Sequence, residues 1–353
     1  MWESLARVNA VVGGVVWGPV GLALLFGTGC LLTVRTGFFQ LRYFGYWMRH
    51  TIGAIFLDRN VTAHTDDEAI SQFQSLCTAL AATIGTGNIV GVAAAILAGG
   101  PGAVFWMWAM ALLGMMTSYA ENVLGICYRR RDAAGRWCGG PMYYLAEGLG
   151  GGFGRVLAVL FACFCVLASF GMGNMSQINS IAGNLQAVFR VPPVATGIVL
   201  ALLTGRVILG GLKRVAAVTE AIVPLMALFY LFGALTVVCV HWAAVPAAFA
   251  AIFRGAFGPQ FIAVSVLLFA YSTTLGWSHY GTRAVVYLLG ERAAAGYKLV
   301  FAAMVLVGAV MKLDLAWALS DTFNGLMMLP NLVGVVGLSG VVVRETQAYL
   351  KRK

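Results

Sequence analysis

Stretches of 18 or more residues with almost no charge recur along this chain, and no other feature limits its fold so severely. Backbone N–H and C=O groups find no water in hydrocarbon, so each must be paired within the protein. Only α-helices and closed β-barrels satisfy that condition across a bilayer. The period-two alternation expected of an outer-membrane barrel is absent, which leaves helices. Composition agrees. Apolar residues make up 60% of the chain and charged residues 10%, whereas soluble domains are about half apolar and about a quarter charged. The fold class expected is an all-α polytopic membrane protein with the lipid bilayer as its solvent.

About nine spans are expected, near residues 12–34, 76–98, 103–127, 154–178, 193–212, 216–240, 260–276, 299–313 and 322–343. The seventh and eighth are short and flanked by polar residues. Positive charge orients them. With the N-terminus outside, the inward loops collect Arg35, Arg42, Arg49 and Arg59, then Arg129 to Arg131 with Arg136. Arg206, Lys213, Arg214, Arg283, Arg292, Arg344, Lys351, Arg352 and Lys353 follow on the same side. The outer segments hold little beyond Arg7, Arg190, Arg254 and Lys312. This predicts an inner-membrane protein with its N-terminus outside and its C-terminus in the cytoplasm. The net charge of +10 is therefore loop charge, and no basic patch with interleaved aromatics points to nucleic acid. Arg7 is offset by Glu3 and the first apolar run is long enough to span, which speaks against a cleavable signal peptide.

Two loops carry pattern. The segment from Arg35 to Ala69 mixes charge with Phe38, Phe39, Tyr43, Phe44, Tyr46 and Trp47, and predicts an interfacial amphipathic helix. The run Gly139-Gly140-Pro141-Met142-Tyr143-Tyr144 predicts a short turn and helix at the membrane surface. The seven cysteines lie mostly in apolar runs without metal-ligand or disulfide spacing, and read as small buried hydrophobes.

The run Gln72 to Gly91 places Gly85-Thr86-Gly87-Asn88 in the middle of the second span, where two glycines weaken helix geometry. A helix broken at mid-membrane offers N–H groups and a positive dipole end to a carboxylate, and free carbonyls to Na⁺. The competing reading is close helix packing on small residues. In the fourth span Gln177 follows Asn174 by three residues, on one helical face. The two amides suit a zwitterionic substrate or serve as interhelical glue. Tyr271-Ser272-Thr273-Thr274-Leu275-Gly276-Trp277 offers adjacent hydroxyls to a hard cation, unless they bond back to their own helix; Trp277 also fits an interfacial anchor. Glu121 and Glu220 lie near the inner ends of their spans, where a structural pair or a solvated end competes with an intramembrane function. Asp314, Asp321 and Asn324 read as helix caps. The four histidines are scattered, and no nucleophile, acid–base pair, metal cluster or nucleotide-binding loop emerges, so neither an enzyme nor an organic cofactor is expected.

These motifs, taken in order, resemble the alanine/glycine:cation symporters. The likeness lies in Gln72–Gly91, Gly139–Tyr144, Gly173–Ala182, Leu268-Phe269-Ala270 through Trp277, Asp321–Met327 and Ser339–Val343, and covers nearly the whole chain. It implies an inverted-repeat fold of the leucine-transporter type preceded by one extra helix. Residues 12–34 would be the extra helix, 76–240 the first repeat and 260–343 the second, all within a single membrane domain. The resemblance implies a substrate site at Gly85, Thr86, Gly87, Asn88, Asn174, Gln177 and Trp277, and a cation site at Ala82, Gly85, Thr273 and Thr274. The partners implied are a small neutral amino acid such as alanine or glycine and Na⁺, or H⁺, as coupling ion. The sequence departs from the family after Arg254-Gly255-Ala256-Phe257. A segment with a Ser-Asn-Glu-Ala-Gly-like motif and a further span belong there, yet Gly258-Pro259-Gln260 leads almost directly into Phe261-Ile262-Ala263. About two helices are missing, and losing two preserves the parity that the charge pattern requires. Cation-coupled uptake is the activity implied; the alternative is a non-transporting remnant or a partner-dependent membrane protein.

Overall fold

The computed structural model describes residues 2–58, 71–99, 102–131, 135, 137–240, 242, 258–311 and 313–351. The segment 243–257, which holds most of the junction where two further helices were expected, lies outside the described residues. Helices dominate: α1 Trp2–Val16, α2 Pro19–Arg35, α3 Phe39–Arg42, α4 Phe44–His50, α5 Ile52–Leu57, α6 Gln72–Thr83, α7 Val90–Gly99 and α8 Gly102–Cys127. A two-residue hairpin, β1 Arg130–Arg131 and β2 Trp137–Cys138, leads into α9 Pro141–Tyr144. Then come α10 Gly151–Phe170, α11 Ser176–Phe189, α12 Pro193–Leu209, α13 Gly211–Val240, α14 Gly258–Leu289, α15 Ala293–Val310, α16 Leu313–Gly337 and α17 Ser339–Lys351.

The local chemistry sets the boundaries. Proline stands in the first turn of α2, α9 and α12, where its missing N–H costs nothing. Helix α6 opens on a capping box: the Ser71 hydroxyl accepts from Gln74 N at 3.1 Å, and Ser71 N donates to Gln74 Oε1 at 3.3 Å. Among the described residues, four helical stretches are long and apolar enough to cross a membrane: Arg7–Arg35, Gly151–Phe189, Gly211–Val240 and Ala293–Val310. Leu228, Leu231, Phe232 and Leu235 on α13 are 57–75% exposed. A contiguous apolar face of that kind is sustainable against lipid and not against water.

Each expected span falls on helix, but four differ in form. The second is two half-helices, α6 and α7, as its glycines predicted. The fourth continues beyond residue 178 to Phe189, giving a 39-residue helix. At 1.5 Å per residue that is about 58 Å, well beyond a ~30 Å hydrocarbon core. The seventh runs on to Leu289, so Trp277 lies inside a helix rather than at its end. The ninth stops at Gly337 and turns by 57° into the polar α17. Asp321 and Asn324 consequently sit within α16 and cap nothing; the Asp321 carbonyl accepts the Trp17 indole N–H at 3.1 Å.

The Arg35–Ala69 segment is helical over its described part, as three short helices instead of one. The run Gly139–Tyr144 forms a short turn and the helix α9, and its side chains join the protein core. Met142, Tyr143, Tyr144 and Leu145 belong to the main core cluster with Leu32, Met116, Leu124, Phe161 and Val335. The reason is room made by a glycine on the facing helix. A Cβ on Gly334 would stand 2.2 Å from Leu145 Cδ2, so glycine there leaves room for the Leu145 side chain. Around this core α10 packs on α14 and α16, α12 on α15, α2 on α8, and α6 on α13 and α14. The last pairing positions the broken helix.

Candidate functional site at the broken helix

Helix α6 ends at Thr83. Ile84 and Gly85 are extended, Thr86–Asn88 make one 3₁₀ turn, and α7 begins at Val90. In an unbroken helix Thr86 N–H would donate to the Ala82 carbonyl, four residues back. Here both groups have other partners. Thr86 N donates to Gln177 Oε1 at 3.1 Å, and the Ala82 carbonyl accepts Trp277 Nε1 at 3.2 Å. Thr86 Oγ1 also donates to Gln177 Oε1, at 2.9 Å, and Gln177 Nε2 donates to the Met172 carbonyl at 2.9 Å. Thr273 Oγ1 donates to the Ile84 carbonyl at 3.0 Å. Three side chains from α11 and α14 thus replace the hydrogen bonds that the break removes, as burial in a bilayer demands.

The fit is tight. A Cβ on Gly85 would lie 2.6 Å from Thr273 Oγ1 and 3.0 Å from Gln177 Oε1. A Cβ on Gly276 would lie 2.7 Å from Ala82 Cβ, and one on Gly173 would lie 2.3 Å from Trp277 Cβ. Thr273, Gly276 and Trp277 are spaced along one face of α14, so that face meets the end of α6. Gly173 and Gly276 were not singled out by sequence reasoning; close approach across helices leaves no mark on a single chain beyond the residue type. The Ile84 carbonyl was also missed, because a backbone oxygen carries no sequence signal.

The structure brings Ala82, Gly85, Thr86, Gln177, Thr273 and Trp277 together. Thr274 is fully buried beside Thr273. Gly87 is half-buried, with Met172 Cε 4.0 Å from where its Cβ would be. Asn88 is exposed, and its backbone N–H donates to the Gly85 carbonyl at 3.1 Å. Asn174 does not join the break: it is buried, and its Nδ2 donates to the Phe301 carbonyl at 2.7 Å on α15. It sits in a π turn, Gly171–Met175, whose wider winding takes it off the face of Gln177 that a regular helix would give. Glu220 has a structural partner, accepting from Gln74 Nε2 at 2.8 Å near the start of α6.

Chemically, the Ile84 carbonyl and the Thr273 hydroxyl are adjacent oxygens, the kind of group that hard cations prefer. The C-terminal end of α6 adds negative dipole and the N-terminal end of α7 positive dipole. Such a site can hold a cation beside one half-helix and a carboxylate beside the other.

Comparison with known proteins places this arrangement. The sodium:alanine symporter family matches residues 2–262 and 255–353. The sodium/alanine symporter AgcS of Methanococcus maripaludis is 36% identical over 451 positions, covering 98% of this chain and 97% of the relative. The uncharacterized transporter YaaJ of Escherichia coli is 43% identical over 252 positions, 70% of this chain and 50% of the relative. The amino-acid carrier protein AlsT of Bacillus subtilis is 30% identical over 429 positions, 94% of this chain and 89% of the relative. The alignment to AgcS spans 451 positions although this chain has 353 residues, so the relative carries residues that have no counterpart here. The two family segments meet at 255–262, where the sequence departs from the family pattern. With a match that runs across the chain and is broken only there, this protein belongs to the sodium:alanine symporter family.

Proposed function

We propose that the chain carries a small neutral amino acid, such as alanine or glycine, across the inner membrane together with Na⁺ or H⁺. The observation that supports this most is the re-partnering of Thr86 N–H and the Ala82 carbonyl by Gln177 and Trp277, which holds a helix broken inside the bundle. In this reading the fold is of the leucine-transporter type with about nine spans. Residues 12–34 form the extra helix, 76–240 the first repeat and 260–343 a shortened second repeat. The N-terminus is outside and the C-terminus cytoplasmic, in line with the arginine-rich inner loops. Gly85, Thr86, Gly87 and Asn88 receive the substrate, with Gln177, Asn174 and Trp277 shaping its surroundings. Ala82, Gly85, Thr273 and Thr274 surround the cation. Buried Asn174 acts through α15 rather than by touching the substrate.

Two observations favour a second reading, a remnant or partner-dependent protein. Asn88 is exposed, and the aligned relative has residues that this chain lacks. Radiolabelled alanine uptake into proteoliposomes holding this chain, with and without a sodium gradient, separates the two. Gradient-driven uptake supports the symporter. No uptake by folded protein, with a full-length relative working in parallel, establishes the second reading.

A further inference from the structure

Glu121, near the end of α8, lies outside the broken-helix site and has one side-chain hydrogen-bond partner among the described residues. Asn331 Nδ2 donates to Glu121 Oε1 at 2.5 Å, and Tyr144 Oη donates to Asn331 Oδ1. The three residues come from α8, α16 and α9, and form a continuous chain from a partly exposed carboxyl to a fully buried phenol. No arginine or lysine pairs with Glu121 among the described residues. Several basic groups nearby have partners of their own, Arg129 among them, 4.4 Å from the Trp137 ring centre. Arg35 of α2 donates to Ser339 Oγ at 2.6 Å, and Arg42 of α3 lies 5.9 Å from the Tyr43 ring centre. Arg130 pairs with Glu147 at 3.1 Å, Arg283 of α14 donates to Cys138 Sγ at 3.5 Å, and Arg344 of α17 pairs with Glu345 at 3.4 Å. The titratable groups that sense Glu121 are Tyr144 and Tyr280. A carboxylate in a membrane bundle without a counter-ion is costly, and such groups recur in proton relays.

We propose that Glu121 is a proton-binding site and that Asn331 passes its protonation state to Tyr144. With Glu121 ionised, the chain runs as observed: Tyr144 donates to the amide oxygen and the amide nitrogen donates to the carboxylate. A proton taken from water onto a carboxylate oxygen turns that oxygen into a donor. The Asn331 amide then presents its oxygen to Glu121 and its nitrogen to Tyr144, which becomes an acceptor. Release of the proton to water restores the first state. The reversal is felt by α9, because Tyr144 precedes Leu145, which packs against Gly334 of the same α16. The site is separate from the broken helix and does not depend on the transport reading.

Infrared difference spectroscopy of the full chain in lipid nanodiscs, over a pH series in H₂O and D₂O, tests this. A protonated-carboxyl C=O band that titrates, shifts in D₂O and is absent from E121Q is expected. In N331L the carboxylate loses the N–H that Asn331 donates to it, so the midpoint moves up by about one to two pH units. If E121Q fails to fold by near-UV circular dichroism, E121D supplies the control, with a displaced band. Identical spectra for the wild type and the folded Glu121 variant at every pH, or an unmoved midpoint in N331L, overturn the proposal.

Discussion

Replacing Gln177 by leucine tests whether the break in the second span is held by a side chain. Leucine keeps most of the volume but removes the acceptor for two donors, Thr86 N–H at 3.1 Å and Thr86 O–H at 2.9 Å. The hydroxyl can rotate toward another acceptor; the amide cannot, and it lies next to Gly85, where no space remains. One buried N–H without a partner costs about 1–3 kcal/mol. The first one or two kcal/mol change the folded-to-unfolded ratio about 5- to 30-fold. The assay is SDS-induced unfolding of the purified protein in mixed micelles, followed by tryptophan fluorescence. Adding T86V completes a double-mutant cycle that reads the hydroxyl bond alone, for which membrane bundles average about 0.6 kcal/mol. Q177L unfolding at the wild-type SDS fraction, with no coupling to T86V, would refute the idea that Gln177 holds the break.

Asn88→Ala should abolish uptake while leaving the unfolding midpoint within about 0.5 kcal/mol of wild type, since the side chain is exposed; normal uptake by this variant counts against the site. Gly173→Ala puts a methyl 2.3 Å from Trp277 Cβ, and overpacking of that kind should cost about 1–3 kcal/mol, read as a lower thermal midpoint; an unchanged midpoint rejects the tight fit. Trp277→Phe leaves the Ala82 carbonyl without its 3.2 Å partner, and a loss of about 0.5–1.5 kcal/mol is expected by the same SDS titration. Green fluorescent protein fused after Lys353 should fluoresce, as it does when folded in the cytoplasm; a dark fusion with an intact chain reverses the assigned topology.

Much of the architecture was legible because the bilayer restricts the options. A chain with almost no charge over long runs must pair its backbone internally, so helices follow from composition, and arginines in alternate loops suggest an orientation. The weak point in the second span was legible too, since Gly85 and Gly87 are poor helix formers wherever they stand. The resemblance to the alanine/glycine:cation symporters was carried by runs that the family comparison bears out. Tertiary structure decided what those residues do. Gln177 and Asn174 are three apart, yet a π turn sends one to the break and the other to the Phe301 carbonyl. Trp277 suited an interface by type; only the length of α14 and its packing on α6 show the indole on the Ala82 carbonyl. Tyr144 belonged by pattern to a short turn and helix; only packing shows its phenol buried and hydrogen-bonded to Asn331, 187 residues away. Hydropathy and charge act position by position and can be read from one chain. Hydrogen bonds between distant residues and the space at Gly85, Gly173 and Gly334 exist only once the helices are packed.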